Sequence, residues 1–446
     1  MNALSTSETL LKRTTSRCPV CHQSAPAEVW RKSTESGQTV WLRRRCEVHG
    51  AAEVCISSDA RFYWLAQGSP DNRCGCPSAG DNGREGTLGA NALRTDTKEC
   101  ETLSTCLALI EIVHSCNLAC PTCYADSPKA KQIDAVPLHD LQRRIQGVID
   151  RKGRIEILQL SGGEPTLHPQ FFELLAWCHR NAGLDYVLLN TNGVRIATDD
   201  EFADQLGKTF QYGKFQLYLQ FDGPQAAAQH ALRGADLRKL REKAIERCGH
   251  LGIPVTLAMT VTPDNLPHLW DAIEDGLRWE HVRGISFQPM FQSGRIPGTP
   301  STVRLNTADI ILSAVEQSGG RLTYNDFTPL PCGDPNCATI GYLLRTPDGL
   351  RSNSDFVDFS QVQDFLRDKV RYSLDDLAQC GCESQPLGRL LHDFELNERS
   401  TFRIFIKPFM DAWTWDEDRI DRCCTHVIRP DGVLDSFCRY YANSGR

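Results

Sequence analysis

Between residues 107 and 317, short apolar runs alternate with longer segments in which apolar side chains recur every three or four positions. The short runs predict strands at Leu107–His114, Ile155–Leu160, Tyr186–Leu189, Gln216–Phe221, Val255–Val261 and Ile285–Met290. The longer segments predict amphipathic helices, among them Leu138–Asp150, Gln170–Asn181, Asp236–Leu251 and Asn265–Glu280. Such alternation indicates parallel strands joined by crossover helices. The predicted fold class is therefore α/β, with a partial (β/α)6 barrel whose chemistry lies at the carboxyl ends of its strands.

The alternation stops on both sides of this region, and the chain divides into four predicted segments. They are a small metal-ribbon module at residues 1–60, a cysteine-containing linker at 61–106, the core barrel at 107–320 and an irregular C-terminal region at 321–446. Within the linker, residues 68–100 are rich in Gly, Pro, Asn, Asp and Ser, which predicts an irregular loop. We expect the C-terminal region to cover the strand ends as a lid.

Composition limits the classes of function. The 446 residues carry a formal net charge of −7, which argues against a general nucleic-acid binder. No apolar stretch approaches the length of a transmembrane helix, and residues 1–17 lack the apolar centre of a secretory signal. We therefore expect a cytoplasmic protein. Twenty cysteines in a reducing compartment point to metal ligation rather than to disulfides.

The first segment carries a predicted mononuclear metal site. Cys18 and Cys21 form one CxxC knuckle, and Cys46 begins a second, with His49 or Cys55 as the possible fourth ligand. Two such knuckles separated by a hairpin are typical of a zinc ribbon or a rubredoxin-like site, so the ion is Zn or Fe. We expect a structural role, because a core this small needs a metal to fold.

Further thiols in the linker suggest a second metal centre. Cys74, Cys76, Cys100 and Cys106 lie within or just after its loop. Irregular backbone that offers four thiols is suited to an auxiliary iron–sulfur cluster.

The most informative stretch is Cys116-Asn-Leu-Ala-Cys120-Pro-Thr-Cys123, which follows the first predicted strand. Three thiolates bind three irons of a 4Fe–4S cluster and leave the fourth iron open, whereas a closed structural cluster uses four cysteines. An open iron can bind a substrate or a cofactor.

Polar tips follow the other predicted strands at the same end of the barrel. They are Gly162-Gly163-Glu164-Pro165 after the second strand, Asn192 after the third, Asp222 after the fourth and Gln288 at the sixth. The glycine pair lets backbone amides and carbonyls approach a small ligand closely. Together these tips predict a cofactor cradle beside the open iron.

These motifs resemble those of the radical S-adenosylmethionine (SAM) superfamily. The resemblance implies that Cys116, Cys120 and Cys123 hold the 4Fe–4S cluster that cleaves SAM to a 5′-deoxyadenosyl radical. It also implies that the glycine-pair motif contacts the SAM amino group, and that Asn192, Asp222 and Gln288 contact SAM or substrate. The superfamily usually has an aromatic residue just before the third cysteine, whereas here Tyr124 follows it, and we expect Tyr124 at the cofactor.

One branch of the superfamily is similar over nearly the whole chain, including the Cys18–His49 module. This branch contains archaeal tetraether lipid synthases and radical SAM methyltransferases that act on a pterin precursor. The resemblance implies one or two auxiliary clusters besides the radical cluster, with C-terminal ligands Cys332, Cys337, Cys423 and Cys438. It assigns no role to Cys55, Cys380, Cys382 or Cys424, and His426 is either a ligand or a structural hydrogen-bonding residue.

The resemblance implies an enzyme that methylates an unactivated carbon, or joins it to another carbon, in a small-molecule or lipid substrate. An external donor such as flavodoxin or ferredoxin would supply the electron. A lipid requires a long apolar tunnel and a heterocycle a polar, stacked pocket, and the sequence does not distinguish them. The alternatives are a maturase that modifies a peptide and a non-catalytic iron–sulfur redox sensor or scaffold.

Overall fold

A computed structural model describes residues 7–35, 37–65, 105–210, 214–297, 304–330, 333–355 and 398–443. Within these ranges the chain forms two β-sheets, one of four strands and one of twelve. Six of the cysteines discussed above lie outside the described residues: Cys74, Cys76, Cys100, Cys332, Cys380 and Cys382.

The smaller sheet is an antiparallel meander. Its strands are β1 (Ser7–Arg17), β2 (Ser24–Thr34), β3 (Gly37–Cys46) and β4 (Gly50–Ser57), in that spatial order. Alternate side chains turn to one face and bury a small apolar core around Val29, Val40 and Leu42. The turns β1–β2 and β3–β4 carry the two cysteine knuckles.

The larger sheet is built around six parallel strands in chain order. These are β5 (Leu107–Val113), β6 (Ile155–Gly162), β7 (Leu184–Thr191), β8 (Phe215–Gln220), β9 (Val255–Val261) and β10 (Val282–Pro289). Each predicted strand is present within a few residues of its predicted bounds. The α/β barrel core is confirmed.

Helices cover the outer face of these strands. They are α1 (Leu138–Lys152), α2 (Phe171–Arg180), α3 (Val194–Thr198), α4 (Asp200–Phe210), α5 (Ala226–Arg233), α6 (Arg238–His250), α7 (Leu269–Leu277) and α8 (Thr307–Gln317). Their apolar sides pack on the strands, as in α1, where Leu141, Ile145 and Val148 are fully buried.

The C-terminal region is more regular than expected. It contributes β11 (Thr328–Pro329), β12 (Thr339–Thr346), β13 (Gly349–Ser352), β14 (Thr401–Ile406), β15 (Thr425–Ile428) and β16 (Leu434–Ser436), with short helices α9 (Glu417–Asp421) and α10 (Phe437–Asn443). β14 pairs parallel with β10, and β15 pairs parallel with β5, so the parallel part of the sheet grows by one strand at each edge. The two new edges meet, because Lys407 Nζ after β14 donates to Thr425 Oγ1 on β15 at 3.0 Å.

The predicted barrel is therefore wider than its six core units, and the last part of the chain supplies the extra strands. Within the described part of the chain, no helix has the length and apolar character needed to cross a bilayer.

Candidate functional site

The predicted cluster loop leaves the end of β5 and is fixed by backbone hydrogen bonds. Cys116 N donates to Pro128 O at 2.9 Å, and Cys123 N donates to Arg295 O at 2.9 Å. Arg295 also donates from Nε to Cys120 O at 2.9 Å. The three thiols are partly buried and line one cavity of about 120 Å³ at the strand ends. The structure thus brings Cys116, Cys120 and Cys123 together at one cavity.

The glycine pair presses β6 against the start of this loop. A Cβ on Gly162 would lie 2.1 Å from Val113 O, and a Cβ on Gly163 would lie 2.0 Å from Ser115 O. Gly162 also has a φ of +118°, which other residues rarely adopt. Gly163 N donates to Val113 O at 2.8 Å. Only glycine permits this close approach, which sets the position of the loop relative to β6.

Glu164 is buried, and its carboxylate ties two strand ends together. It accepts from Thr166 N and Oγ1 at 3.2 and 2.7 Å, from Thr191 Oγ1 at 2.7 Å and from Asn192 N at 2.8 Å. Burial raises the pKa of Glu164, while these donors oppose that shift. Since four donors occupy the carboxylate, the side chain is suited to positioning the cavity wall. Pro165 is buried behind it at the start of a 3-10 turn, Pro165–Leu167.

Asn192 lies directly beside the cluster loop. Its Nδ2 is 2.7 Å from Asn117 Oδ1 and 3.8 Å from Cys116 Sγ. Burial raises the pKa of the Cys116 thiol to about 12. The bare thiol is therefore protonated at neutral pH, and any metal that binds must displace the proton.

Asp222 occupies a different place from the one its motif predicted. It is fully buried with a left-handed φ of 62° and is not among the residues that line the cavity. It accepts from Arg233 Nε at 2.6 Å and from Arg241 Nη1 at 3.3 Å. Burial alone would raise the pKa of Asp222, but Arg233 and then Arg241 outweigh it and lower the pKa to about 2. Asp222 therefore orients two arginines that do line the cavity.

Sequence reasoning missed those two arginines. Arg241 is buried, and its Nε and Nη2 have no hydrogen-bond partner among the described residues. Guanidinium groups in this state are suited to an anionic ligand such as a carboxylate. Little in the sequence marks these two residues, because Arg233 and Arg241 lie 11 and 19 residues after Asp222, on α5 and α6.

Tyr124 and Gln288 lie where the cluster cavity meets the barrel interior. Tyr124 OH is 3.3 Å from Ser161 Oγ, which also accepts from Asn190 Nδ2 at 3.1 Å. Gln288 Nε2 donates to Tyr218 OH at 2.7 Å. A second cavity of about 190 Å³ fills the barrel and shares Tyr124, Asn190 and Gln288 with the first. A group bound at the cluster loop is thus in contact with the barrel interior.

Alternate residues of the parallel strands face this second cavity, and many are polar. Besides Tyr124, the lining includes four glutamines and two further tyrosines: Gln159, Gln216, Gln220, Gln288, Tyr186 and Tyr218. The period-two pattern in β8 could have indicated three of them, because Gln216, Tyr218 and Gln220 alternate with apolar residues. These side chains face the barrel interior because they occupy alternate strand positions, and no sequence motif marks them.

The N-terminal knuckles form a compact four-ligand group. The ligand atoms of Cys18, Cys21, Cys46 and His49 all lie within 4.8 Å of one another. Cys18 Sγ is 3.5 Å from His49 Nδ1, and Cys21 Sγ is 3.8 Å from Cys46 Sγ. This set is suited to tetrahedral Zn²⁺. The geometry favours His49 over Cys55, which lies on β4 and lines a separate small cavity.

The described C-terminal thiols also gather in one place. Burial raises the pKa of Cys423 well above its usual range, and the neighbouring Cys337, Cys424 and Cys438 raise it further. Cys438 Sγ accepts from Met410 N at 3.4 Å. This group is suited to an iron–sulfur cluster, in which each thiolate binds a different iron.

Two remaining predicted residues lie on the adjoining strand pair. Cys106 precedes β5, and its N donates to Cys424 O at 3.1 Å. His426 is fully buried on β15, with Nδ1 3.0 Å from Thr105 Oγ1. This contact favours a structural role for His426.

Comparison with known proteins finds separate matches for the barrel and for the N-terminal module. Residues 110–276 match the radical SAM superfamily, and residues 10–58 match the HMPTM N-terminal zinc ribbon domain. A 7,8-dihydro-6-hydroxymethylpterin dimethyltransferase from Methanocaldococcus jannaschii is 26% identical, over 96% of this chain and 93% of that protein. A PqqA peptide cyclase from Ruegeria pomeroyi is 31% identical, over 50% of this chain and 58% of that protein. The solved structure of native anSMEcpe with bound AdoMet is 20% identical with a TM-score of 0.38, over 53% of this chain and 74% of that chain.

Proposed function

This chain carries a radical SAM domain and is an enzyme, and from that premise we propose that it functionalises an unactivated carbon of a planar, polar heterocycle. The reaction class is methylation or carbon–carbon bond formation. The observation that carries the proposal is the set of glutamine and tyrosine side chains that stand among the apolar residues lining the barrel cavity.

The residues at the strand ends fit the expected cofactors. Cys116, Cys120 and Cys123 would hold a 4Fe–4S cluster, and that cluster, reduced by a donor such as flavodoxin or ferredoxin, would supply the electron for cleavage of SAM to methionine and a 5′-deoxyadenosyl radical. Gly162 and Gly163 line the cavity that the three thiols also line, which places this stretch of backbone beside the expected SAM amino group. Arg233 and Arg241 offer cationic groups to the SAM carboxylate in the same cavity.

The barrel cavity supports a heterocycle over a lipid. Gln159, Gln216 and Gln220 place amide groups in the cavity wall. Gln216 already bonds Thr256 and Tyr186, and Gln220 donates to Asp222, but each amide keeps further donor and acceptor capacity that a polar ring can use and an alkyl chain cannot. A pterin ring carries complementary donors and acceptors along its edge. The relative named as a pterin dimethyltransferase matches along nearly the whole chain, including the N-terminal module.

The C-terminal region would shield the radical from water. Phe409 and Phe437 stack with ring centroids 4.1 Å apart, and both line the barrel cavity. On α10, Tyr440 and Tyr441 donate to Glu111 of β5 at 3.1 and 2.9 Å. These contacts hold an apolar cover beside Tyr124, which excludes water from the reacting carbon. We propose a cytosolic location, where the thiols stay reduced.

A second candidate is peptide modification, which the similarity to a peptide cyclase favours. That similarity covers half of this chain, whereas the match to the pterin enzyme covers 96% of it. The pterin proposal therefore takes precedence.

The test is anaerobic reconstitution with iron and sulfide, followed by incubation with SAM, a reductant and 7,8-dihydro-6-hydroxymethylpterin. We expect 5′-deoxyadenosine together with a pterin product heavier by one or two methyl groups, for which further SAM molecules in the assay are the methyl source. A variant with alanine at Cys116, Cys120 and Cys123 should make neither, whereas Cys178→Ala, which changes a buried cysteine on α2, should make both. Formation of 5′-deoxyadenosine without any change in the pterin would contradict the substrate class and leave the radical chemistry intact.

A further inference from the structure

We propose that Arg403 binds an anionic group of the substrate, a phosphate or a carboxylate, at the end of the barrel cavity away from the cluster loop. This inference rests on the proposed function and narrows its substrate class to heterocycles that carry such a group.

The position of Arg403 follows from the strand register. Arg403 pairs with Gly284 near the start of β10, and Lys407, just after the same strand as Arg403, donates from its backbone N to Phe287 O near the end of β10. Four residues of strand separate the two side chains, or about 13 Å along the barrel. A substrate that reaches from Tyr124 to Arg403 would therefore extend along the barrel axis past the polar wall.

The described charged residues that line the barrel cavity are basic. Arg403 and Lys407 line the cavity, and among the described residues that line it there is no aspartate or glutamate. The partly buried Arg403 guanidinium has no acidic partner among these described residues, and an anion bound in the cavity would supply one. The cavity is therefore electrostatically suited to an anion.

Arg403 differs from Lys407 in its local contacts. Lys407 Nζ bonds Thr425 Oγ1 at 3.0 Å across the barrel seam. The partly buried Arg403 side chain makes no hydrogen bond or ion pair with another residue in the described part of the chain. By contrast, Arg345 on the neighbouring β12 donates to the carbonyls of Trp279 and Val282 at 3.1 and 3.2 Å.

Neighbouring strands leave a polar space beside Arg403. The register places Gly284 between Thr256 of β9 and Arg403 of β14. A Cβ on Gly284 would lie 2.2 Å from Arg403 O, so the missing side chain lets β10 and β14 approach closely. Thr256, Gln216 and Arg403 all line the cavity. Thr256 accepts from Gln216, whose Oε1 accepts from Tyr186 OH at 3.4 Å. A planar fork of N–H donors beside hydroxyl and amide groups matches phosphate or carboxylate geometry.

The test compares three probes on the reconstituted full-length enzyme with SAM present. They are neutral 7,8-dihydro-6-hydroxymethylpterin, its phosphate monoester and the 6-carboxy analogue, with dissociation constants measured by calorimetry. We expect one anionic probe to bind at least about tenfold more tightly than the neutral one. A comparison of the two anionic probes shows whether the site prefers a phosphate or a carboxylate.

Arg403→Gln should remove this preference and leave the dissociation constant of the neutral probe within about threefold. Arg403→Lys should retain part of the preference, because it keeps the charge and loses the fork. Arg180→Gln, which removes an exposed arginine at the end of α2, should behave as wild type. Substrate-free cleavage of SAM should be the same in all four proteins, which verifies that each is folded.

Two results would overturn the inference while the proposed function stands. One is conversion of the neutral probe by a wild type that shows no preference for either anion. The other is an anion preference that persists in Arg403→Gln. If wild type binds none of the three probes, the pterin-like substrate class and the role of Arg403 fail together.

Discussion

At the scale of single residues, the charge on Asp222 determines how Arg233 and Arg241 face the cavity beside the cluster loop. Asp222 accepts from Arg233, Arg241 and Thr260 N, so it replaces the water that all three groups lose on burial. The sequence predicts that Asp222 contacts SAM or substrate, whereas in the structure Asp222 supports two arginines that line the cavity. Asp222 could contact a ligand in the cavity only by leaving its fully buried position.

Asp222→Asn should destabilise the protein by on the order of 3–5 kcal/mol, because two buried arginines lose their counter-charge. The measurement is the free energy of unfolding in denaturant. The exposed pair Asp200–Arg247 provides the control, and Asp200→Asn should cost less than about 1 kcal/mol. Equal costs for the two variants would contradict a structural role for the buried pair.

The pH dependence of stability has a definite sign. Because the pKa of Asp222 is lowered to about 2, its contribution is present above the unfolded value of about 3.9 and is lost as pH falls towards 2. Wild type should lose more stability than Asp222→Asn over this interval.

At the scale of elements, the N-terminal sheet is fastened to the C-terminal region beside the strand ends. Lys12 Nζ pairs with Asp416 at 2.6 Å, and the Arg17 guanidinium lies 3.9 Å from the Trp415 ring centroid. Asp411, a few residues earlier, accepts from Gln292 N at 2.9 Å. Gln292 precedes the residues that pair with the cluster loop. Order in the metal module therefore supports the loop that holds the predicted radical cluster.

His49→Ala should release about one equivalent of zinc per chain and lower the midpoint of thermal unfolding, since a site of this kind supplies much of the folding energy of a small module. The readouts are metal analysis and differential scanning calorimetry. Cys55→Ala, on the same sheet, should keep its metal. Loss of metal from Cys55→Ala but not from His49→Ala would reverse the assignment of the fourth ligand.

At the scale of the whole molecule, two cavities meet inside one barrel, and under the proposed function this arrangement would separate cofactor cleavage from substrate choice. Tyr124, Asn190, Gln220 and Gln288 line both, while Gln216 lines only the barrel cavity. Changes deep in the barrel should therefore affect the substrate and leave the cofactor site unchanged.

Gln216→Leu should reduce pterin product by about tenfold or more, because it removes a buried hydrogen-bonding group from the wall. Substrate-free formation of 5′-deoxyadenosine should stay at the wild-type rate, measured by chromatography in the same assay. Gln205→Leu, on the exposed face of α4, should change neither. A parallel fall in both activities would show that the two cavities do not act separately.

The sequence by itself determined the features that depend on neighbours along the chain. The cluster loop, the glycine-pair motif and the four-ligand knuckles are local, and the strands and helices follow from periodicity within short windows. The tertiary structure alone decided which distant residues share a wall. Arg233 and Arg241 reach the cofactor cavity from helices, and Arg403 enters the barrel on a strand more than 100 residues after the strand it pairs with. The physical reason is that parallel pairing joins segments by register and side-chain parity, and neither leaves a mark at any one position in the sequence.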